Sequence, residues 1–175
     1  MIGGEATAVQ TYRERPPASV LADYVSSVWV QQVAADSTPY THRTVPNGSA
    51  ELVCRLGSVP YIVGPQSGPI EETLAPGSIV VGVRFRLGAV AAVLGIPASE
   101  LVDLTVVSDE LWGRSAVALG ERVAASASPQ ESAAVLEEAI FARLGDAVGP
   151  DPVATAAVQR LLPWQTDDVA SPPRR

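Results

Sequence analysis

A chain of 175 residues has the size of one ordinary domain. Its residues are 47% hydrophobic and only 18% charged, so the chain can form a core and is not wholly disordered. Lys and Arg number 12 against 19 Asp and Glu, a formal net charge of −7, so the chain lacks the basic footprint of a nucleic-acid-binding protein. The single cysteine, Cys54, excludes an internal disulfide, and the lack of a secretory leader or a long apolar run predicts a cytoplasmic protein without membrane contact.

The N-terminal segment is predicted to become ordered at two prolines. Residues 1–15 have the composition of a flexible lead, and Pro16-Pro17 ends it, because proline restricts its own backbone and that of the preceding residue. Apolar residues at helical spacing then predict a short helix from Ala18 to about Ser26. A strand is predicted to follow over 28–33.

The stretch from Thr41 to Phe85 has the pattern of antiparallel strands joined by tight turns. Short runs rich in Val, Ile, Tyr and Thr alternate there with Pro-Asn-Gly, Gly-Ser, Gly-Pro and Pro-Gly sequences. We predict strands near 41–45, 50–56, 60–64, 70–74 and 78–86.

The last of these strands alternates between two faces. The face expected to be core carries Ile79, Val81, Val83 and Phe85, and the face expected to be polar carries Val80, Gly82, Arg84 and Arg86. Because Gly82 removes a side chain from the strand, we expect another backbone or a ligand to approach closely there.

After Gly88 the hydrophobic period becomes helical. It predicts helices over 89–95, 115–127, 129–145 and 151–162. Strands in 16–87 followed by helices in 88–145 therefore predict an α+β fold.

The third of these helices has two further features. Ser128 before Pro129 has the composition of a helix start. An apolar stripe along the helix is interpreted as a packing face rather than a site, and it comprises Leu136, Ala139, Ile140, Arg143 and Leu144.

The common cofactor and metal motifs are missing from the sequence, so we expect neither a cofactor nor a metal. There is no GxGxxG or GxxxxGK[ST] pattern, and His42 is the only histidine. His42 with Cys54 or Ser49 leaves nucleophilic catalysis open, since all three lie on neighbouring predicted strands. However, a lone histidine on a strand is more often a hydrogen bonder and a lone cysteine is usually core, so we expect no enzyme.

The charged residues allow two interpretations. Arg84 and Arg86, near Glu51, are equally consistent with recognition of an anion and with an internal salt bridge. The adjacent acids Glu71-Glu72 and Glu137-Glu138 point in different directions and are interpreted as solvated charge.

Four ordered groups of residues resemble a known family. The first two are Tyr12, Pro16-Pro17, Leu21, Tyr24 and Trp29, and then His42-Arg43, Pro46-Asn47-Gly48 and Glu51-Leu52-Val53. The last two are Pro76-Gly77, Gly82 to Arg86 and Gly88-Ala89, and then Gly95-Ile96-Pro97, Glu100-Leu101, Asp103 and Leu111-Trp112-Gly113. The set covers about residues 12–144 and is similar to the N-terminal domain of AraC/XylS-type transcription regulators. Asn47 and Leu87 depart from that family, which usually has Asp and Pro there.

The resemblance implies a partly barrel-like β-structure followed by helices, which senses an effector or mediates dimerisation. In such regulators a further region reads DNA with two helix-turn-helix units, and residues 146–175 are similar only to the linker helix and a truncated start of that region. We therefore expect no nucleic-acid binding by this chain alone. The partners expected are a small-molecule effector and either a second copy or a full-length regulator.

An effector pocket is expected within the β-rich half, with His42, Glu51, Arg84, Trp29 and Phe85 as its ligand-binding residues. For Trp29 a core role is the more usual one. Two other functions remain open. One is a small barrel-type binding protein or enzyme that uses His42. The other is a structural module whose stripe around Leu136 and Ile140 is buried between two copies.

Overall fold

The computed structural model describes residues 9–145, 149–150 and 152–161. Its strands are β1 (Gln10–Arg15), β2 (Val25–Val33), β3 (Tyr40–Thr44), β4 (Glu51–Arg55), β5 (Tyr61–Val63), β6 (Ile70–Leu74), β7 (Ile79–Phe85) and β8 (Thr105–Val107). Its α-helices are α1 (Val90–Leu94), α2 (Asp109–Trp112), α3 (Arg114–Ala124), α4 (Pro129–Leu144) and α5 (Pro152–Leu161). Short 3-10 helices lie at Ser19–Leu21 and Ala98–Leu101. Strands β1 to β7 come before the first α-helix, which confirms the α+β prediction, although β8 is a strand within the stretch 88–145 that was expected to be helical.

The strands form two antiparallel sheets. The larger has the order β1-β2-β7-β4-β5-β8, and the smaller is the pair β3-β6. The pairs β2·β7, β3·β6 and β4·β5 are nested one inside the next, which is the connectivity of a jelly roll reduced to six strands. The described strands do not close into a barrel, because β1 and β8 remain at opposite ends of the larger sheet.

The larger sheet buries apolar side chains on both faces. On one face the helices cover the main core, to which β7 contributes Val81, Val83 and Phe85. On the other face a smaller cluster forms beneath the β3-β6 pair, and it comprises Trp29, Val33, Val53, Leu74 and Val80. The second face was expected to be polar, and that expectation is wrong for Val80, because the second sheet covers it and only 2% of the residue is exposed.

Helix α4 packs along the main core as its apolar stripe predicts. Leu136 and Ile140 are fully buried within the chain, so their stripe is not a free surface for packing between two copies. The guanidinium of Arg143 lies 4.1 Å from the ring centroid of Trp112 and closes the end of this interface. The helix begins as predicted, with the Ser128 hydroxyl accepting a hydrogen bond from the backbone N–H of Glu131 at 3.2 Å.

The N-terminal prediction needs two corrections. The expected flexible lead is wrong for residues 10–15, which form β1 and pair along their whole length with β2; residues 1–8 lie outside the described residues. The helix expected over 18–26 is only a 3-10 turn at Ser19–Leu21, and β2 already begins at Val25. The apolar spacing from Leu21 to Val25 buries both side chains in the core without requiring a helix.

Glu137 fastens the N-terminal segment to the helical layer. Its carboxylate accepts a hydrogen bond from the backbone N–H of Ala18 at 2.7 Å and an ion-paired one from Arg15. The side chain of Glu137 is only 8% exposed, whereas that of Glu138 is 66% exposed. The interpretation as solvated charge is therefore wrong for Glu137.

The segment before β8 leads into that last strand, which pairs with β5. Leu101 is buried in the main core, and Asp103 adopts a left-handed backbone with φ 58°. The Asp103 carboxylate accepts hydrogen bonds from the Ser67 backbone N–H and hydroxyl, both at 2.7 Å, and they lower the pKa of that carboxyl.

Among the helices of the described ranges, none has the length and apolarity needed to cross a bilayer.

Candidate functional site

The face of the larger sheet that lies away from the helices forms the floor of a cavity. Because side chains alternate along a strand, every second residue of β2, β7, β4, β5 and β8 points to this side. The strand pairing aligns them in two rows across the sheet, Trp29-Gly82-Val53-Tyr61-Val107 and Ser27-Arg84-Glu51-Val63-Thr105. A third, shorter row is Gln31-Val80-Arg55.

The β3-β6 pair forms the roof. His42 is paired with Glu72, and Thr44 with Ile70, and all four line the cavity. The 45–49 loop, which contains the Pro46-Asn47-Gly48 turn, contributes one side. The cavity has a volume of about 610 Å³, is partly open to solvent, and has walls that are mostly apolar. Drug-sized ligands bind in pockets of roughly 300–1,000 Å³.

Three of the expected binding residues form one hydrogen-bonded network at the floor. Glu51 accepts through Oε2 from the indole Nε1 of Trp29 at 2.9 Å and through Oε1 from Nε of Arg84 at 2.8 Å. Arg84 also donates to Oε1 of Glu14, on the edge strand β1, at 3.0 Å. The internal salt bridge is therefore the interpretation that the structure supports for Arg84 and Glu51.

Another group does approach Gly82 closely, as its missing side chain predicts. That group is the indole ring of Trp29, however, and not a backbone or a ligand. The ring of Trp29 lies flat over Gly82 on the neighbouring strand, and a Cβ at this position would overlap it. The ring is also 5.8 Å, between centroids, from that of Tyr12 on β1. Trp29, with 8% exposure, is thus both a core anchor and part of the cavity wall.

A second ion pair crosses the cavity wall between the two sheets. Arg55 of β4 donates to Oε1 of Glu72 of β6 at 2.8 Å, with both side chains about 40% exposed. Tyr61 lies nearby, and burial raises the pKa of its hydroxyl to about 12. The hydroxyl therefore remains protonated at neutral pH.

His42 and Gln31 bring hydrogen-bonding groups to the cavity. The imidazole of His42 stacks on Tyr40 with ring centroids 6.2 Å apart, and its buried Nδ1 has no hydrogen-bond partner among the described residues. Gln31 is only 6% exposed, and no side-chain hydrogen bond to it occurs within the described part of the chain.

The remaining expected site residues lie elsewhere. Arg84 is placed behind Glu51 and does not line the cavity. Phe85 points to the opposite face and is fully buried beneath the helices, so the expectation of ligand contact is wrong for it. Cys54 is also on the helix side, where burial raises the pKa of its thiol to about 12. It therefore cannot act as the partner of His42 in the cavity.

The wall residues that escaped the sequence reasoning include Gln31, Arg55, Tyr61 and Glu72. The alternation of side chains along a strand could have identified Gln31, because it lies two residues after Trp29 on β2 and therefore shares its face. The ion pair of Arg55 with Glu72 depends on how the second sheet folds over the first, which no local pattern specifies.

The fold and the site define a class: an α+β domain with a partly open cavity of ligand size between its two antiparallel sheets. The chain belongs to the family described as Domain of unknown function (DUF6597), whose match covers residues 13–107. That range contains every residue that lines the cavity. Comparisons with curated proteins and with solved structures gave no match.

Proposed function

We propose that the chain is the effector-sensing and dimerising domain of an AraC-type transcription regulator, which binds a small organic molecule between its two sheets. The observation that carries the proposal is the cavity of about 610 Å³, with apolar walls and a few polar groups. The match to the DUF6597 family contains all of the lining residues, so the cavity belongs to the part of the chain that defines the family.

The chemistry of the walls supports binding rather than catalysis. A nucleophilic mechanism requires a nucleophile, a base and a group that orients the base. Among the described residues His42 has no hydrogen-bonded acid, and Cys54 lies on the other face of the sheet. A barrel-type enzyme that uses His42 is the competing function, and it would have to use Ser49 or a water molecule as its nucleophile.

The proposed function also implies a cellular location and binding partners. We infer that the chain acts in the cytoplasm as a homodimer or paired with a full-length regulator, and that it does not bind DNA by itself. Its formal net charge of −7 supports the last point, because phosphate contacts supply most non-specific affinity for DNA. Nanomolar, sequence-specific DNA binding by this chain at physiological salt would overturn that part.

Effector binding is tested by calorimetry and thermal shift on a library of small organic molecules. Compounds that bind the wild-type chain are expected to lose most of their affinity in Val63→Trp, because Val63 faces the cavity and the larger ring projects into the space that the ligand needs. The control is Val117→Trp on the outer surface of α3, where Val117 is 41% exposed. Equal binding by all three proteins, or turnover of a bound compound that depends on His42, would refute the sensor function.

A further inference from the structure

We infer that the cavity selects an uncharged molecule, with an apolar body and hydrogen-bonding groups of its own, over carboxylates, phosphates and amines. This inference rests on the proposed function and narrows the effector to a chemical class. It follows from how the charged groups around the cavity are paired and from which polar groups remain available.

The charges at the floor are already matched to one another. Glu51 has both carboxylate oxygens hydrogen-bonded, one to Arg84 and one to Trp29, and its side chain is only 15% exposed. Arg84 is held between Glu51 and Glu14, so its positive charge is offset on both sides. An anion that reached for Arg84 would first have to displace a carboxylate that is already in contact with it.

The charges at the wall are matched as well. Arg55 and Glu72 form an ion pair at 2.8 Å and bring one positive and one negative charge to the cavity. An ionic ligand would lose part of its hydration on entering and would find each opposite charge already engaged. A neutral ligand loses much less hydration free energy on entry.

The polar groups that remain available in the wall are an amide, an imidazole nitrogen and a phenol hydroxyl. The Gln31 amide, which can both donate and accept, and Nδ1 of His42 have no side-chain partner among the described residues. The Tyr61 hydroxyl is a third wall group of this kind. Between them lie the apolar surfaces of Val53 and Val80. This arrangement fits an apolar body with hydroxyl, amide or carbonyl groups at its edges.

Matched probes test the inference on the full chain. Acetamides, acetates and ethylamines built on indole, benzene and cyclohexane differ in charge but share their bodies, and their affinities are measured by calorimetry. For the body that binds most tightly, we expect the acetamide to bind about tenfold or more tightly than the acetate and the amine. If the acetate or amine of that body binds as tightly as its acetamide, or more tightly, the inference is overturned and the proposed function is left standing. If none of the nine binds at about 1 mM, the proposed function fails together with the inference.

A charge variant tests the cause. Glu72→Gln leaves Arg55 without its partner in the wall, so we expect the affinity for acetates to rise about tenfold relative to wild type. The control is Glu121→Gln on the exposed surface of α3, which changes the net charge equally without facing the cavity. Equal affinities for acetate in Glu72→Gln and Glu121→Gln would show that paired charges are not what excludes anions.

Discussion

Replacing Gly82 by alanine places a Cβ where the indole ring of Trp29 lies. The ring has to move, and its 2.9 Å hydrogen bond to Glu51 is lost. Overpacking of this kind costs about 1–3 kcal/mol, and a hydrogen bond to a charged group contributes about 1.5–3 kcal/mol. We expect Gly82→Ala to lower the free energy of unfolding by about 3 kcal/mol, a decrease in melting temperature of roughly 6–12 °C for a domain of this size.

A double-mutant cycle measured by urea denaturation identifies the cause. In a Trp29→Leu background the overlap is absent, so Gly82→Ala is expected to be neutral or to stabilise by about 0.5 kcal/mol, since alanine is favoured over glycine in strands. The matched control is Gly68→Ala, because a Cβ at Gly68 meets no atom within 4 Å. If Gly82→Ala costs the same in both backgrounds, the steric explanation is wrong.

Two further predictions concern stability. Glu137→Gln removes the ion pair with Arg15 and should lower the free energy of unfolding by about 2 kcal/mol. The control, Glu138→Gln at the exposed neighbouring position, should change it by less than about 0.5 kcal/mol. Equal effects of the two variants in urea denaturation would show that Glu137 does not fasten the N-terminal segment. The free energy of unfolding should fall as pH rises from about 9 towards 12. Burial raises the pKa values of Cys54 and Tyr61 from 9.0 and 10.0 to about 12, so the unfolded chain releases protons that the folded chain keeps. A flat stability profile between pH 8 and pH 11 would refute this.

The central strands could be predicted because their residues carry a local signal. Strands β3 to β7 lie where β-rich runs alternate with turn sequences, and β7 shows the expected alternation of faces. Strand β1 could not be predicted in this way. It is an edge strand with one neighbour and mostly exposed side chains, so its sequence has no apolar alternation.

The site could be predicted only in part, for a related reason. Trp29, Glu51 and Arg84 were all predicted as pocket residues, and Arg84 was predicted near Glu51, but Glu14, the fourth member of their network, comes from the unpredicted β1. Phe85 was expected in the pocket although strand parity already placed it on the core face. The roof depends on the packing of one sheet over another, a long-range relation that sequence periodicity does not contain.

The larger sheet carries an apolar cluster on each face, so residues that hold the helices and residues that face the cavity are neighbours along the same strand. Within β7, Val81 is enclosed by the helical layer while its neighbour Val80 looks into the cavity. A substitution at Val80 can therefore alter what is bound, whereas Val81, Val83 and Phe85 hold the helical layer, and Gly82 serves the fold because it leaves room for Trp29. A family built on this plan can vary its specificity at cavity-facing positions such as Val63, which belong to neither set of fully buried residues.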